Sequence, residues 1–369
     1  MNKEELQLTI INALTQHNAY LQRLSSSTVN QILALLDSLS LDALNKLQNI
    51  LSELNEAELI ALASAKYTTP DLKQFVVVMN EWQSAIATQL PELFAVSGIA
   101  LAEYEQAYIY QLADKKAPAI TGKTLYNRAM DKPFAGGQLF KTIFPDIAAR
   151  LRKQVEQVVR DGVSNGQTNQ QIIQRIKGTK KLNYNDGLLT STRNEIDAAV
   201  KTARAAISSN VYVDTWKALG FPYLKDIVTL DGRTSPYCAS IDGRVQKNDG
   251  TAKQSPYHFR CRTIQIGCDK DGNLEGLRPF VASDKPVSKI PKDQRDVIIG
   301  QVDANTTFPK WFKQQDEQFQ VNWLGISRYK LYKDGKFTLD KFVDPLSGKL
   351  FTLDELRKVD SETFRNLGL

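Results

Sequence analysis

The chain has 369 residues, 42% hydrophobic and 24% charged, an ordinary globular balance with length for two or three domains. Its three cysteines are too few and odd in number for a disulfide scaffold and fit a reducing compartment. The net charge of +6 conceals a split: residues 1–110 carry 5 basic and 12 acidic side chains, residues 115–181 carry 14 and 4. That asymmetry points to one segment facing an anionic partner and another avoiding it; a solvated lysine-rich surface is the plainer reading.

Met1 to Leu8 are polar and acidic, so no secretory leader is expected. Apolar patches such as Phe75 to Met79 fall far short of the roughly 20 residues of a membrane span, which predicts a soluble protein made in a cytoplasm. From Glu4 to Lys66 apolar residues recur at helical spacing, in Leu6, Ile10 and Leu14, in Ile32, Leu35, Leu36 and Leu39, and again from Leu41 to Leu54. Ser25-Ser26-Ser27 and Ser38-Leu39-Ser40 are expected to interrupt that pattern. Asn55 with Glu58 makes a capping box, and Asp71 is expected to open one or two long helices reaching residue 112 and divided near Pro91. Their stripe of Phe75, Val76, Met79, Trp82 and Ile86 reads as packing rather than a ligand box. His17 reads as a surface residue.

Residues 114–145, with Lys115, Lys116, Pro118, Gly122, Pro133, Gly136, Gly137 and Pro145, read as a basic, loop-rich linker. Asp146 is expected to cap a helix whose inner face is Ile147, Leu151, Val155 and Val158. Asn165-Gly166 turns the chain, and the capping boxes Thr168 with Gln171 and Thr192 with Glu195 open two more helices. The first stops at Gly178; the second runs to about Asn210, with Ile196, Val200, Ala203 and Ile207 on one side. After Gly220 the spacing shortens to strand-like runs at 227–230, 244–246 and 262–266, with Asp-Gly turns at Asp231-Gly232 and Asp242-Gly243. Further helices are expected near 308–323 and, opened by Thr352 with Glu355, near 352–359. The expected fold is α+β: a mostly helical N-terminal two thirds, then a small β-rich motif domain and a mixed C-terminal tail.

Thr229-Leu-Asp-Gly-Arg-Thr-Ser-Pro-Tyr-Cys238, Ile241-Asp-Gly-Arg-Val245 and Pro256-Tyr-His258-Phe-Arg-Cys261-Arg-Thr263 follow one another in order. Together they resemble the phage Mu F-like head-morphogenesis family, whose pattern is Asp-x-Arg-Thr, a Cys after Pro-x, Leu/Ile-Asp-Gly, then His-x-x-Cys-Arg. The resemblance covers about residues 146–266, although Asn194 stands where the family commonly has Thr. It divides the chain into a helical region 1–113, the linker 114–145, the Mu F-like domain 146–278 and an extension 279–369. What it implies is a minor head protein of a tailed phage, present in few copies. Its place would be the capsid interior near the portal vertex, and the host cytoplasm during assembly. The implied partners are the portal protein, major capsid or scaffolding proteins and packaged double-stranded DNA, with no membrane.

The motif core is Asp231, Arg233, Cys238, Asp242, Gly243, His258 and Cys261. Its aspartates can close their own turns, Gly232 and Gly243 allow positive φ, and Arg233 and Arg244 can pair with these or neighbouring carboxylates. Cys238, His258, Cys261 and Cys268 offer a tetrahedral zinc set; the spacing is not that of a zinc finger, and buried thiols beside a hydrogen-bonded imidazole are the default, so no cofactor is expected. A thiol nucleophile with His258 and Asp231 or Asp242 is chemically conceivable. The chain lacks a P-loop, a Gly-x-Ser-x-Gly elbow and a His-Glu-x-x-His helix, so no enzyme is expected. The alternatives are a phage-delivered, DNA-associated enzyme or effector and a zinc-stabilised binding module. Lys115, Lys116, Arg150, Arg152, Lys153, Arg175, Lys177, Lys180 and Lys181 are the expected contacts for non-specific DNA binding.

Overall fold

A computed structural model describes residues 3–134 and 137–369. Gly136 and the side chains of Met1 to Leu8, and with them Leu6, and of Ile10 lie outside the described residues. The helices are α1 (Lys3–Glu53), α2 (Glu56–Ala63), α3 (Pro70–Leu112), α4 (Gly122–Met130), α5 (Phe140–Ser164), α6 (Asn169–Lys177) and α7 (Leu189–Ala218). Strand β1 (Tyr223–Ile227), strand β2 (Leu230–Asp231), helix α8 (Pro236–Ile241), β3 (Val245–Lys247), β4 (Ile264–Cys268) and β5 (Leu277–Val281) follow. The chain ends with α9 (Arg295–Ile298), β6 (Ile299–Asp303), α10 (Phe308–Lys313), α11 (Glu317–Leu324), α12 (Ile326–Lys333), α13 (Leu353–Val359) and α14 (Ser361–Asn366). Long helices first and two three-stranded sheets afterwards make the fold α+β.

The chain forms two compact units, one of residues 22–102 and 121–207, the other of residues 1–21, 103–120 and 208–369. Neither is a continuous stretch; the chain changes unit within α1, α3 and α7.

The first unit is all helical. The serine clusters expected to break α1 sit inside one continuous helix: beside the first, the Thr28 hydroxyl donates to the Leu24 carbonyl (3.2 Å) and the Arg204 guanidinium donates to Ser25 (3.2 Å) and Thr28 (3.0 Å), whereas in the second the Ser40 hydroxyl is buried with no hydrogen-bond partner among the described residues. α3 likewise runs through Pro91 unbroken, and its cap is Thr69, not Asp71: the Leu72 amide donates to the Thr69 hydroxyl (3.4 Å) and Pro70 takes the first helical position. Its buried residues Phe75, Met79, Trp82, Ile86, Leu90 and Phe94 repeat at helical spacing. α3 contains an 18-residue window of mean hydropathy 1.4, long and apolar enough to cross a membrane, one third of it buried. The sequence showed no such window as an unbroken apolar run, because polar residues are interspersed through it.

α4 occupies part of the expected linker, opened by Thr121, whose hydroxyl accepts from the Thr124 amide (3.2 Å), and held by buried Leu125, Tyr126 and Met130. α5 starts at Phe140, so Asp146 lies inside it; Ile147, Leu151 and Val155 are buried as expected, but Val159 rather than Val158 continues the face. α6 has its Thr168–Gln171 capping box and stops at Gly178. α7 starts at Leu189, before the expected cap: Thr192 is 3% exposed within it, and Ile196, Val200, Ala203 and Ile207 are buried.

In the second unit β1 lies between antiparallel β3 and β4, while β5 pairs parallel with β2 and antiparallel with β6. Two apolar cores hold it. In one, Leu14, Ile109, Tyr212 and Trp216 pack with Leu224, Ile227, Ile266 and Cys268 of the first sheet, and the Trp216 indole N–H donates to the Gln265 carbonyl (2.9 Å). In the other, Leu230, Tyr237, Cys238 and Cys261 pack with Phe308, Trp311, Phe312, Phe342 and Phe364 of the tail. His17 is no surface residue: at 5% exposure it stacks on Tyr108 (centroids 4.1 Å apart) and bonds Glu105 (3.2 Å), a carboxylate that also accepts from Ser208 (3.1 Å) and Tyr212 (2.6 Å).

Candidate functional site

Three buried aspartates organise the motif. Asp231 closes its own turn by accepting from the Arg233 amide (3.0 Å), and Arg262 grips both its oxygens from across the fold (2.5 and 2.7 Å) while Arg233 adds a third guanidinium bond (3.0 Å). Burial pushes the Asp231 carboxyl up, but the two arginines outweigh it and hold it below the ordinary range. Asp242 accepts from the Val228 amide (3.0 Å), the Phe308 amide (2.6 Å) and Arg278 (2.9 Å), so one carboxylate ties the end of β1 to the start of α10. Asp226 accepts from Arg244 (2.8 Å), Gln246 (3.2 Å) and Tyr257 (2.5 Å). Its burial nevertheless raises the carboxyl to about 6.

The sequence expectation that Arg233 and Arg244 pair with the turn aspartates or neighbouring carboxylates is met by Asp231 and Asp226 respectively. The stronger partners, Arg262 and Arg278, were not singled out. Arg262 is the last residue of the His-x-x-Cys-Arg pattern and was legible there; Arg278 and Asp226 lie outside any motif and had no signal. Of the two turn glycines, Gly243 has φ +86°. Gly232 does not have positive φ; it is needed for space, since a Cβ there would stand 2.9 Å from the Asp284 amide nitrogen.

The thiols meet beside this frame. Ser235 caps α8 through the Cys238 amide (3.2 Å), with Pro236 at the first helical position. That start sets the Cys238 sulfur 3.1 Å from His258 Nε2, 3.8 Å from the Cys261 sulfur and 3.2 Å from the Thr263 hydroxyl. The His258 Nδ1 lies 2.8 Å from the Phe259 carbonyl, and only an N–H can satisfy that oxygen, so Nε2 presents its lone pair to the sulfurs when the ring is neutral. The Cys261 amide donates to the His258 carbonyl (3.1 Å), closing the turn through Arg260 at φ +60°. Cys261 is held well below the ordinary thiol range, chiefly by accepting from the Cys238 S–H and further by the imidazole, against the cost of burial. Cys238 is pushed up by that same bond and by burial. Burial lowers His258, but Cys261 outweighs it and the imidazole is raised.

Cys238, His258 and Cys261 are thus one cluster, with their ligand atoms within 4.8 Å of one another. Cys268 does not join them: it ends β4 in the core around Trp216, and burial pushes its thiol to about 12. No Cys–His–Asp set assembles either, because Phe259, not an aspartate, holds the imidazole Nδ1, while Asp231 and Asp242 are occupied by arginines.

The basic residues divide between the units. Lys115 and Lys116 are exposed in the second; the other seven lie in the first, with Arg150, Arg152 and Lys153 on α5, Arg175 and Lys177 on α6 and Lys180 and Lys181 just after it. Arg150 pairs with Glu195, Arg152 with Glu156 (3.4 Å) and Arg175 with Asp161 (2.8 Å), and Lys177 lies over the Tyr184 ring. Lys153, Lys180 and Lys181 are exposed and form no ion pair among the described residues.

Residues 153–266, under a third of the chain, match the family model described as Phage Mu protein F like protein. That segment is similar to the Mu F-like head-morphogenesis family. No curated protein and no solved structure matches. The Mu F-like match begins inside α5 and ends inside β4, so it takes in Asp226, the Asp231 turn, Asp242 and the thiol cluster, and leaves Arg278 and the aromatic tail outside.

Proposed function

We propose that this protein is a minor head protein of a tailed phage. It binds the portal vertex from the capsid interior and assists head assembly, DNA packaging or genome delivery. The observation that carries this reading is the match of residues 153–266 to the Mu F-like family. In support, the polar residues of the motif are spent on internal bonds: Asp226, Asp231 and Asp242 each hold an arginine and tie separate segments together. Such a domain serves as a rigid mount rather than a reaction centre, and the protein is proposed not to be an enzyme. Partners on this reading are the portal protein, major capsid or scaffolding proteins, and packaged double-stranded DNA. The full chain should co-purify with the portal protein of the same phage; its failure to do so when the two are produced together overturns the portal role.

Contact with DNA would be made through phosphates, without base readout. Among the seven basic residues of the first unit, Lys153, Lys180 and Lys181 carry the most available charge, since the arginines on α5 and α6 already face carboxylates. The full chain should bind duplex DNA of any sequence, with affinity falling steeply as salt rises. Replacing the three lysines by alanine should lower the slope of log affinity against log salt by about 3, on the order of one counterion per lysine. Absent or salt-insensitive binding overturns the DNA contact without touching the portal role.

A further inference from the structure

We infer that Cys238, Cys261 and His258 bind one zinc ion, which fastens the loop at 256–263 to the start of α8. The inference is independent of the head-protein reading and rests on the cluster's geometry. Zinc held tetrahedrally by thiolates at about 2.3 Å and an imidazole at about 2.0–2.1 Å places two sulfurs about 3.8 Å apart and each sulfur about 3.5 Å from the nitrogen. The two sulfurs here are 3.8 Å apart, Cys238 lies 3.1 Å from Nε2, and the Cys261 sulfur lies within 4.8 Å of that nitrogen, so the three donors already stand close to the spacing the ion needs and the Cys238–Nε2 pair opens by a few tenths of an ångström.

The imidazole is already set as a ligand. Its Nδ1–H is committed to the Phe259 carbonyl, the outer bond that commonly fixes a zinc-binding histidine, and its Nε2 faces the sulfurs. Two thiolates and a neutral ring cancel the charge of a divalent ion, so the occupied centre adds no net charge to a place where both cysteines are 3% exposed. The donor set selects zinc over magnesium or calcium, which take oxygen ligands. Three protein ligands leave a fourth position for a water, and the Ser235 hydroxyl lies 2.8 Å from Nε2 of the half-buried His258. The ion's structural use follows from chain positions: Cys238 belongs to α8, whereas His258 and Cys261 lie on an irregular segment with no strand or helix of its own.

The test is metal analysis of the full chain produced without a histidine tag and with no chelator in the buffers. About one zinc per chain is expected. Cys268→Ser should keep the metal, while Cys261→Ser and His258→Gln should lose it. Should those two variants fail to fold, cobalt exchanged into the unaltered chain provides the second readout, a thiolate-to-cobalt charge-transfer band in the near ultraviolet. A chain without zinc that gives no such band overturns the inference, as does a mass two hydrogens short from a Cys238–Cys261 disulfide. Loss of the metal in Cys268→Ser alone overturns the ligand assignment.

Discussion

Arg278 and Arg150 each pair with a carboxylate, yet their removal should cost very different amounts. Arg278 is 2% exposed and its loss strands Asp242 in the interior beside two backbone amides, so Arg278→Ala should destabilise the protein by about 3–5 kcal/mol. Arg150 and Glu195 are both close to half exposed, and Arg150→Ala should cost less than about 1 kcal/mol. Urea titrations of both variants check the contrast, and equal effects would refute the assignment of Asp242 as a hub. Asp226 gives a pH signature. Its folded carboxyl at about 6 lies above the ordinary value near 3.9, so the folded chain holds that proton more tightly than the unfolded one. The stabilisation is therefore full below about pH 4 and is lost as pH rises to about 6. Measured against Asp226→Asn, the wild-type chain should lose about 3 kcal/mol of relative stability over that window; a constant difference from pH 4 to 7 contradicts it. Asp231, held low by its arginines, contributes in the opposite sense, with stability lost on acidification.

The elements show which local signals hold once a chain is folded. The capping boxes at Asn55 with Glu58, Thr168 with Gln171 and Thr352 with Glu355 all form. They are decided within one turn, so sequence suffices. Thr192 with Glu195 has the same pattern but lies inside α7, which begins earlier, at the buried Leu189, ahead of the start that the pattern predicted. Strand positions were only approximately legible: the run 227–230 straddles the end of β1 and the start of β2, and β5 and β6 owe their pairing to each other rather than to alternation. Thr352→Ala, which removes an exposed cap, should cost about 1 kcal/mol. Ile196→Ala, in the fully buried face of α7, should cost about 2–5 kcal/mol. Thermal unfolding of the two variants side by side tests whether tertiary packing, rather than capping, carries these helices.

At the scale of the molecule, the tail is part of the second unit's core. Phe308, Trp311, Phe312, Phe342 and Phe364 cover Leu230, Tyr237 and Cys238, and the Phe308 amide completes Asp242. Ending the chain after Val281 should therefore abolish cooperative unfolding and expose this apolar surface, as read by dye binding and solubility; a truncated chain that melts as sharply as the whole would show the tail to be dispensable. The sequence alone determined the helix-then-sheet order, three caps, the motif and its family, because each is written in neighbouring residues or in a pattern of short spacings. Only the tertiary structure decided that α1 and α3 run unbroken and that His17 is buried against Glu105. It alone separated Cys268 from the other thiols and supplied Arg278 to Asp242. Those outcomes depend on residues dozens of positions apart sharing the same desolvated space. Within the segment from Thr229 to Ile264, the sequence named the residues; the fold chose their partners.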